Sequence, residues 1–258
     1  MGGATPLCDF AGLGTKPMTA LAVETEDDDD ALLRLNIAFD RRRPVGDQVY
    51  DALRKAIVSL RLPPGTSISE NRICRQIGVS RTPVRGAIIR LVEDGLIEVF
   101  PQKGSFVAPI KLSAVRNNHF IRKALELAVL KRAAELWSPA SAAHAREILS
   151  RQQTALEVGD FEVFHELDED FHRALCGAAR LEGVWPTIQI AKARVDRVHR
   201  LAAVQGRLPL VIDEHRAVLD ALDDADSVRA EACLDYHLER APAILETLIG
   251  SHEKYFVD

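Results

Sequence analysis

Asp168 and His172 stand four residues apart in Asp168-Glu169-Asp170-Phe171-His172. On a helix that spacing projects both side chains from one face and lets them reach a single ion. Leu167, Phe171 and Ala174 flank the face and turn it toward a bundle interior. Two more histidines have comparable settings: His215 lies between Ile212 and Val218-Leu219, and His237 lies one turn beyond Cys233. Three imidazoles and a carboxylate from three helices make a site for a divalent metal, with positions left for water or a ligand. Zinc, nickel and manganese all suit these donors. Taken singly, each histidine has a second reading as a hydrogen-bonded residue of an apolar core, so only the set carries the inference. Cys176 and Cys233, each one turn from a proposed ligand, read as core residues.

A second group of residues is suited to a polyanion. Val84, Ala87, Ile88, Leu91 and Val92 form an apolar stripe at helical spacing, which turns Arg81, Thr82, Arg85, Gly86 and Ile89 outward. Two arginines one turn apart near a helix N-terminus suit a DNA major groove, where guanidinium forks pair with guanine edges or phosphates and first-turn amides add donors. An arginine-bearing solvated helix is the alternative reading.

These residues need elements to hold them, and the chain punctuates itself accordingly. Val49, Leu53, Ile57 and Leu60 predict a helix over 45–61, stopped by Pro63-Pro64-Gly65. Ser69 and Gly78 bracket a short second helix, and Ser80 caps a third that runs to Asp94. Leu96–Phe100 and Ser105–Ala108 read as strands around the turn Pro101-Gln102-Lys103-Gly104. Helix, short helix, helix and hairpin make a winged helix-turn-helix over residues 41–110. Beyond Lys111 every segment has a helical period. Six helices are predicted, over 112–137, 140–158, 160–179, 183–203, 208–224 and 226–249, joined by connections short enough for an antiparallel bundle over 111–258. The expected fold is therefore mainly α.

Charge divides the chain the same way. Residues 1–40 carry 2 basic and 8 acidic side chains, residues 41–110 carry 12 and 6, and residues 111–258 carry 19 and 24. Only the middle segment attracts a polyanion. The first forty residues, with the run Glu24 to Asp30, read as a flexible acidic arm that packs against nothing. Arg41-Arg42-Arg43 reverses the charge just before the first helix. No stretch is long and apolar enough to span a membrane, no secretory signal precedes the fold, and the expected location is the cytoplasm. The four cysteines lack the close pairing of a zinc ribbon and the density of a disulfide scaffold.

Ser80-Arg81-Thr82-Pro83-Val84-Arg85, Leu91-Val92-Glu93-Asp94-Gly95-Leu96-Ile97 and Lys103-Gly104-Ser105-Phe106-Val107 closely resemble the GntR family of bacterial regulators. The resemblance implies that Ser80, Arg81, Thr82 and Arg85 touch a double-stranded operator, with Lys103 and Gly104 at the wing tip. Two positions depart from the family pattern: Gly86 stands where Glu is common, and Asn71 where many members carry a DNA-contacting Arg. Asp168 to Leu175, Glu214 to Val218 and His237-Leu238 resemble the FCD-type sensory domain of FadR-like members, and six helices its VanR-like branch. That resemblance implies a divalent metal on Asp168, His172, His215 and His237. It also implies that Arg122, in Ile121 to Glu126, faces an effector cavity; Arg194 and Arg197, charged residues on the fourth bundle helix, are further candidates for its lining.

The resulting expectation is a homodimeric repressor that reads an inverted repeat and answers to a sugar acid, hydroxy acid or dicarboxylate. Two other readings are a metal-dependent enzyme domain fused to a DNA reader, and a metal-free dimerisation bundle.

Overall fold

The computed structural model describes Leu35 and residues 37–201 and 207–258. Most of the expected acidic arm, residues 1–34 and 36, lies outside the described residues. Its end is folded, contrary to the expectation that it packs against nothing. Leu35 is buried, Ile37 and Phe39 rest on the same core, and Gln76 Nε2 donates to the Leu35 carbonyl at 3.0 Å. Leu35, Ile37 and Phe39 are the apolar side chains that tie this short stretch to the core.

Contacts group the described residues into two compact units. The first holds residues up to Asn118 with Lys192–Leu201 and Leu245–Asp258; the second holds His119–Ala191 and Arg207–Ile244.

In the first unit, helices α1 (Val45–Val58), α2 (Glu70–Ile77) and α3 (Arg81–Glu93) accompany a three-stranded antiparallel sheet whose first strand falls between α1 and α2. Its order is β1 (Ser67–Ile68), β3 (Gly104–Val107), β2 (Ile97–Phe100). The Ser69 hydroxyl accepts the amide of Arg72, and Gly78, left-handed at φ 69°, ends α2 as its sequence implies. Ser80 is at the start of α3 but its side chain makes no capping hydrogen bond. Val84, Ala87, Ile88 and Leu91 are buried against α1 and α2, whereas Val92 is exposed, so the buried stripe is narrower than predicted. A second, parallel pair joins β4 (Ile110–Lys111) to β5 (Phe256–Val257). Neither β1 nor β5 was anticipated, because two residues cannot display an alternation.

Among the described residues six α-helices follow β4: α4 (Leu112–Leu136), α5 (Pro139–Glu157), α6 (Phe161–Ala178), α7 (Trp185–Leu201), α8 (Leu208–Asp223) and α9 (Ser227–Ser251). Ser138 caps α5 by accepting the Ser141 amide, and Asp160 caps α6 by accepting that of Val163. In the second unit α5 packs on α6 and α8 around Leu130, Phe164, Leu167, Phe171, Val218, Leu219 and Leu234. No described helix is long and apolar enough to cross a membrane.

Candidate metal centre and nucleic-acid interface

Helix α6 supplies Asp168 and His172, α8 supplies His215 and α9 supplies His237. One potential ligand atom from each lies within 4.8 Å of all the others. The three imidazoles are buried, and Phe171 stacks on His215 with ring centroids 3.8 Å apart. This core packing holds the rings without using their nitrogens.

Each imidazole has its Nδ1 against an acceptor. His172 Nδ1 faces Glu126 Oε2 at 2.5 Å, His215 Nδ1 faces Gln152 Oε1 at 3.2 Å, and His237 Nδ1 faces Glu214 Oε2 at 2.8 Å. The two carboxylates only accept. Gln152 gives its Nε2 to the Phe164 carbonyl, which turns its oxygen to His215. With acceptors bonded at Nδ1 of His215 and His237, those rings carry the proton there and keep a lone pair on Nε2, as metal-binding histidines do. His215 Nε2 is 3.7 Å from Asp168 Oδ1. Burial holds His237 below its usual pKa, with the hydrogen bond to Glu214 opposing the effect. The donor set fits a divalent cation.

Arg122, 3% exposed, adjoins the same cluster: its Nε donates to Glu126 Oε1 at 2.6 Å and its Nη2 approaches His172 Nε2 at 3.2 Å. Burial alone would raise the Glu126 carboxyl, but Arg122 and His172 bring it down to about 2. Glu214 is held below the carboxylate range against its burial by His237 and by Arg207, which meets it with two hydrogen bonds of 2.6 and 2.7 Å. Glu126, Gln152 and Glu214 were not singled out as orienting groups from sequence. Burial raises the Cys176 thiol to about 11, which makes it an inert core residue.

Arg194 and Arg197 do not join this cluster. Arg194 gives Nε and Nη2 to the Asp94 carbonyl at 3.0 and 2.6 Å, and Arg197 gives Nη2 to that of Ala108 at 2.6 Å. Both act within the first unit.

On α3, Arg81, Thr82, Arg85, Gly86 and Ile89 are exposed, with Ser80 beside them. Neither Arg81 nor Arg85 forms an ion pair among the described residues, and no acidic side chain occupies the first turn. Arg90, in contrast, is held by Asp47 at 2.7 Å and lies over the Tyr50 ring. The wing turn exposes Lys103 and Gly104. Gly104 has φ 109° with nothing within 4 Å of where a Cβ would stand, so the need for glycine there is conformational.

Residues 45–107 match the family described as bacterial regulatory proteins, gntR family, and residues 119–240 match the FCD domain. The HTH-type transcriptional repressor RspR of Escherichia coli K12 is 37% identical over 215 residues, covering 83% of this chain and 94% of that protein. The chain belongs to the GntR family. The Nta operon transcriptional regulator of Aminobacter aminovorans is 28% identical over 195 residues, covering 75% and 91% of the two chains. The solved structure of E. coli McbR/YncC superposes with a TM-score of 0.71 at 26% identity, over 80% of this chain and 98% of that one. As a GntR regulator with an FCD domain, the protein is a DNA-binding transcriptional regulator and not an enzyme.

Proposed function

We propose that this GntR regulator is a homodimeric cytoplasmic repressor whose FCD unit holds a divalent metal on Asp168, His172, His215 and His237. Beside the metal it takes a small organic acid that alters operator affinity. One observation supports the reading: three buried imidazoles and a carboxylate each bring a potential ligand atom within 4.8 Å of all the others, with an acceptor facing Nδ1 of every ring. A repressing role is supported by the likeness to RspR, a transcriptional repressor.

The charges around the cluster explain why an acid is the fitting effector. Glu126, Asp168 and Glu214 outnumber Arg122 and Arg207, so with neutral imidazoles the cluster has a negative balance. A bound dication reverses that sign and offers coordination positions to a carboxylate. Arg122 provides the guanidinium that grips and orients the acid at the His172 edge. At the other end of the chain, Ser80, Arg81, Thr82 and Arg85 face the major groove, and Lys103 and Gly104 reach the adjoining backbone.

Elemental analysis of protein purified without a His-tag tests the centre. About one divalent ion per chain is expected, falling to background in His172→Ala and His215→Ala with helicity retained. Unchanged metal content in both variants overturns the site, and a metal-free wild type leaves the bundle as a dimerisation module. A thermal-shift screen of sugar acids, hydroxy acids and dicarboxylates, with and without metal, then identifies the effector class. Stabilisation by an acid only in the loaded protein is the expected result.

A further inference from the structure

A cavity of about 110 Å³ lies in the first unit, lined by Gly95, Glu98, Ile110 and Lys111 together with Arg194 and Arg197 of α7. It is separate from the metal cluster, which the second unit builds from its own residues. Arg197 is 2% exposed; its Nη2 is held by the Ala108 carbonyl, while its buried Nε has no hydrogen-bond partner among the described residues. A buried donor lacking an acceptor is uncommon in a folded protein, and costlier on a charged group. Glu98, which also lines the cavity, is paired with Lys111 at 2.8 Å. Arg194 bonds to a neutral carbonyl. The residues that line the cavity thus carry an excess of positive charge, and one of them, Arg197, has a buried donor with nothing to meet it.

We propose that this cavity is a second ligand site, for a small oxyanion, with Arg197 Nε as a donor. Its volume sets the size class: a cavity of ~150 Å³ admits benzene, so the occupant is limited to about six heavy atoms, a short carboxylate or inorganic phosphate. Burial, and next to it Arg194, draws Arg197 down to about 10, the direction expected of a cation without a counter-charge. The position gives the site a role. Asp94 and Gly95 close the end of α3, and Glu98 belongs to the wing, so an occupant adjoins the elements that read DNA. This is a ligand input that does not depend on a metal.

Calorimetric titration of the full-length protein at constant ionic strength, with acetate, pyruvate and inorganic phosphate as probes and chloride as control, tests the site. Saturable binding of at least one oxyanion is expected, and it persists in His215→Ala. It weakens about tenfold or more in Arg197→Gln, which removes the charge, and in Ala114→Leu, which fills the cavity and keeps every charge. Preference for the organic acids or for phosphate tells the two sources apart. Should Arg197→Gln fail to fold, Ala114→Leu decides, and the bromine anomalous signal from wild-type crystals soaked in 3-bromopropionate locates the bound acid directly. No saturable binding up to about 10 mM overturns the proposal. So does binding that Ala114→Leu leaves unchanged, that His215→Ala abolishes, or that the bromine signal places elsewhere.

Discussion

Gln152 is the residue whose removal separates orientation from ligation. It meets His215 at Nδ1 and is itself fully buried and neutral. Gln152→Ala is expected to lower metal affinity by about 10–100-fold while leaving all four proposed ligands in place. Competition against a calibrated chelator measures it. An affinity equal to wild type would mean that core packing alone, through the Phe171 stack, sets the His215 ring. Glu126 also orients a histidine, but makes a poorer probe. Its loss takes the Nε partner from Arg122 at 3% exposure, and removing one member of a buried ion pair costs about 3–5 kcal/mol, a large share of the stability of a domain. Unfolding would then be mistaken for loss of metal. The candidate ligands themselves were legible in the sequence, because Asp168 and His172 share a helix face flanked by Leu167 and Phe171. Glu126 and Gln152 were not, since Glu and Gln on a helix are surface residues by default and only the tertiary fold buries them.

At the scale of elements, the junction of α3 and α7 rests on Gly95. Its φ is +68°, and a Cβ there would stand 2.3 Å from Arg194 Nη2, the atom that bonds the carbonyl of Asp94. Gly95→Ala therefore combines left-handed strain, about 1–2 kcal/mol, with displacement of the guanidinium. Placed in an Arg194→Ala background, the same substitution should cost the strain alone. Denaturant unfolding of the four proteins of this cycle gives the coupling, and simple additivity would show that the guanidinium moves aside freely. Helix starts were readable because Ser69, Ser138 and Asp160 announce them with side chains that accept first-turn amides. The strands β1, β4 and β5 were beyond reach, as each is two residues long and defined wholly by its partner. Arg194 and Arg197 were assigned to the effector cavity from their place on a charged helix. Sequence periodicity reports a face, not what covers it, and both side chains are bonded to carbonyls of the first unit.

At the scale of the whole molecule, charge and element length together set how DNA is read. The basic excess is confined to residues 41–110, and α3, at 13 residues, is only about 20 Å long. One such helix reaches a few base pairs, too few to single out an operator, which is the argument behind the proposed pair of copies on an inverted repeat. Arg81→Ala and Arg85→Ala are each expected to weaken operator binding by about 1–3 kcal/mol, because both guanidiniums are exposed and free of ion pairs among the described residues. Fluorescence anisotropy over a range of salt distinguishes their roles: a phosphate contact lowers the salt slope by about one, whereas a base contact leaves the slope and relaxes preference at one position. His215→Ala should leave that slope unchanged, since a buried cluster touches no phosphate. Cutting the operator to a single half-site removes one of the two reading heads, so affinity should fall by orders of magnitude, toward the level of random duplex. If a half-site bound as tightly as the full repeat, one winged unit would suffice, and the homodimeric reading would have to be abandoned.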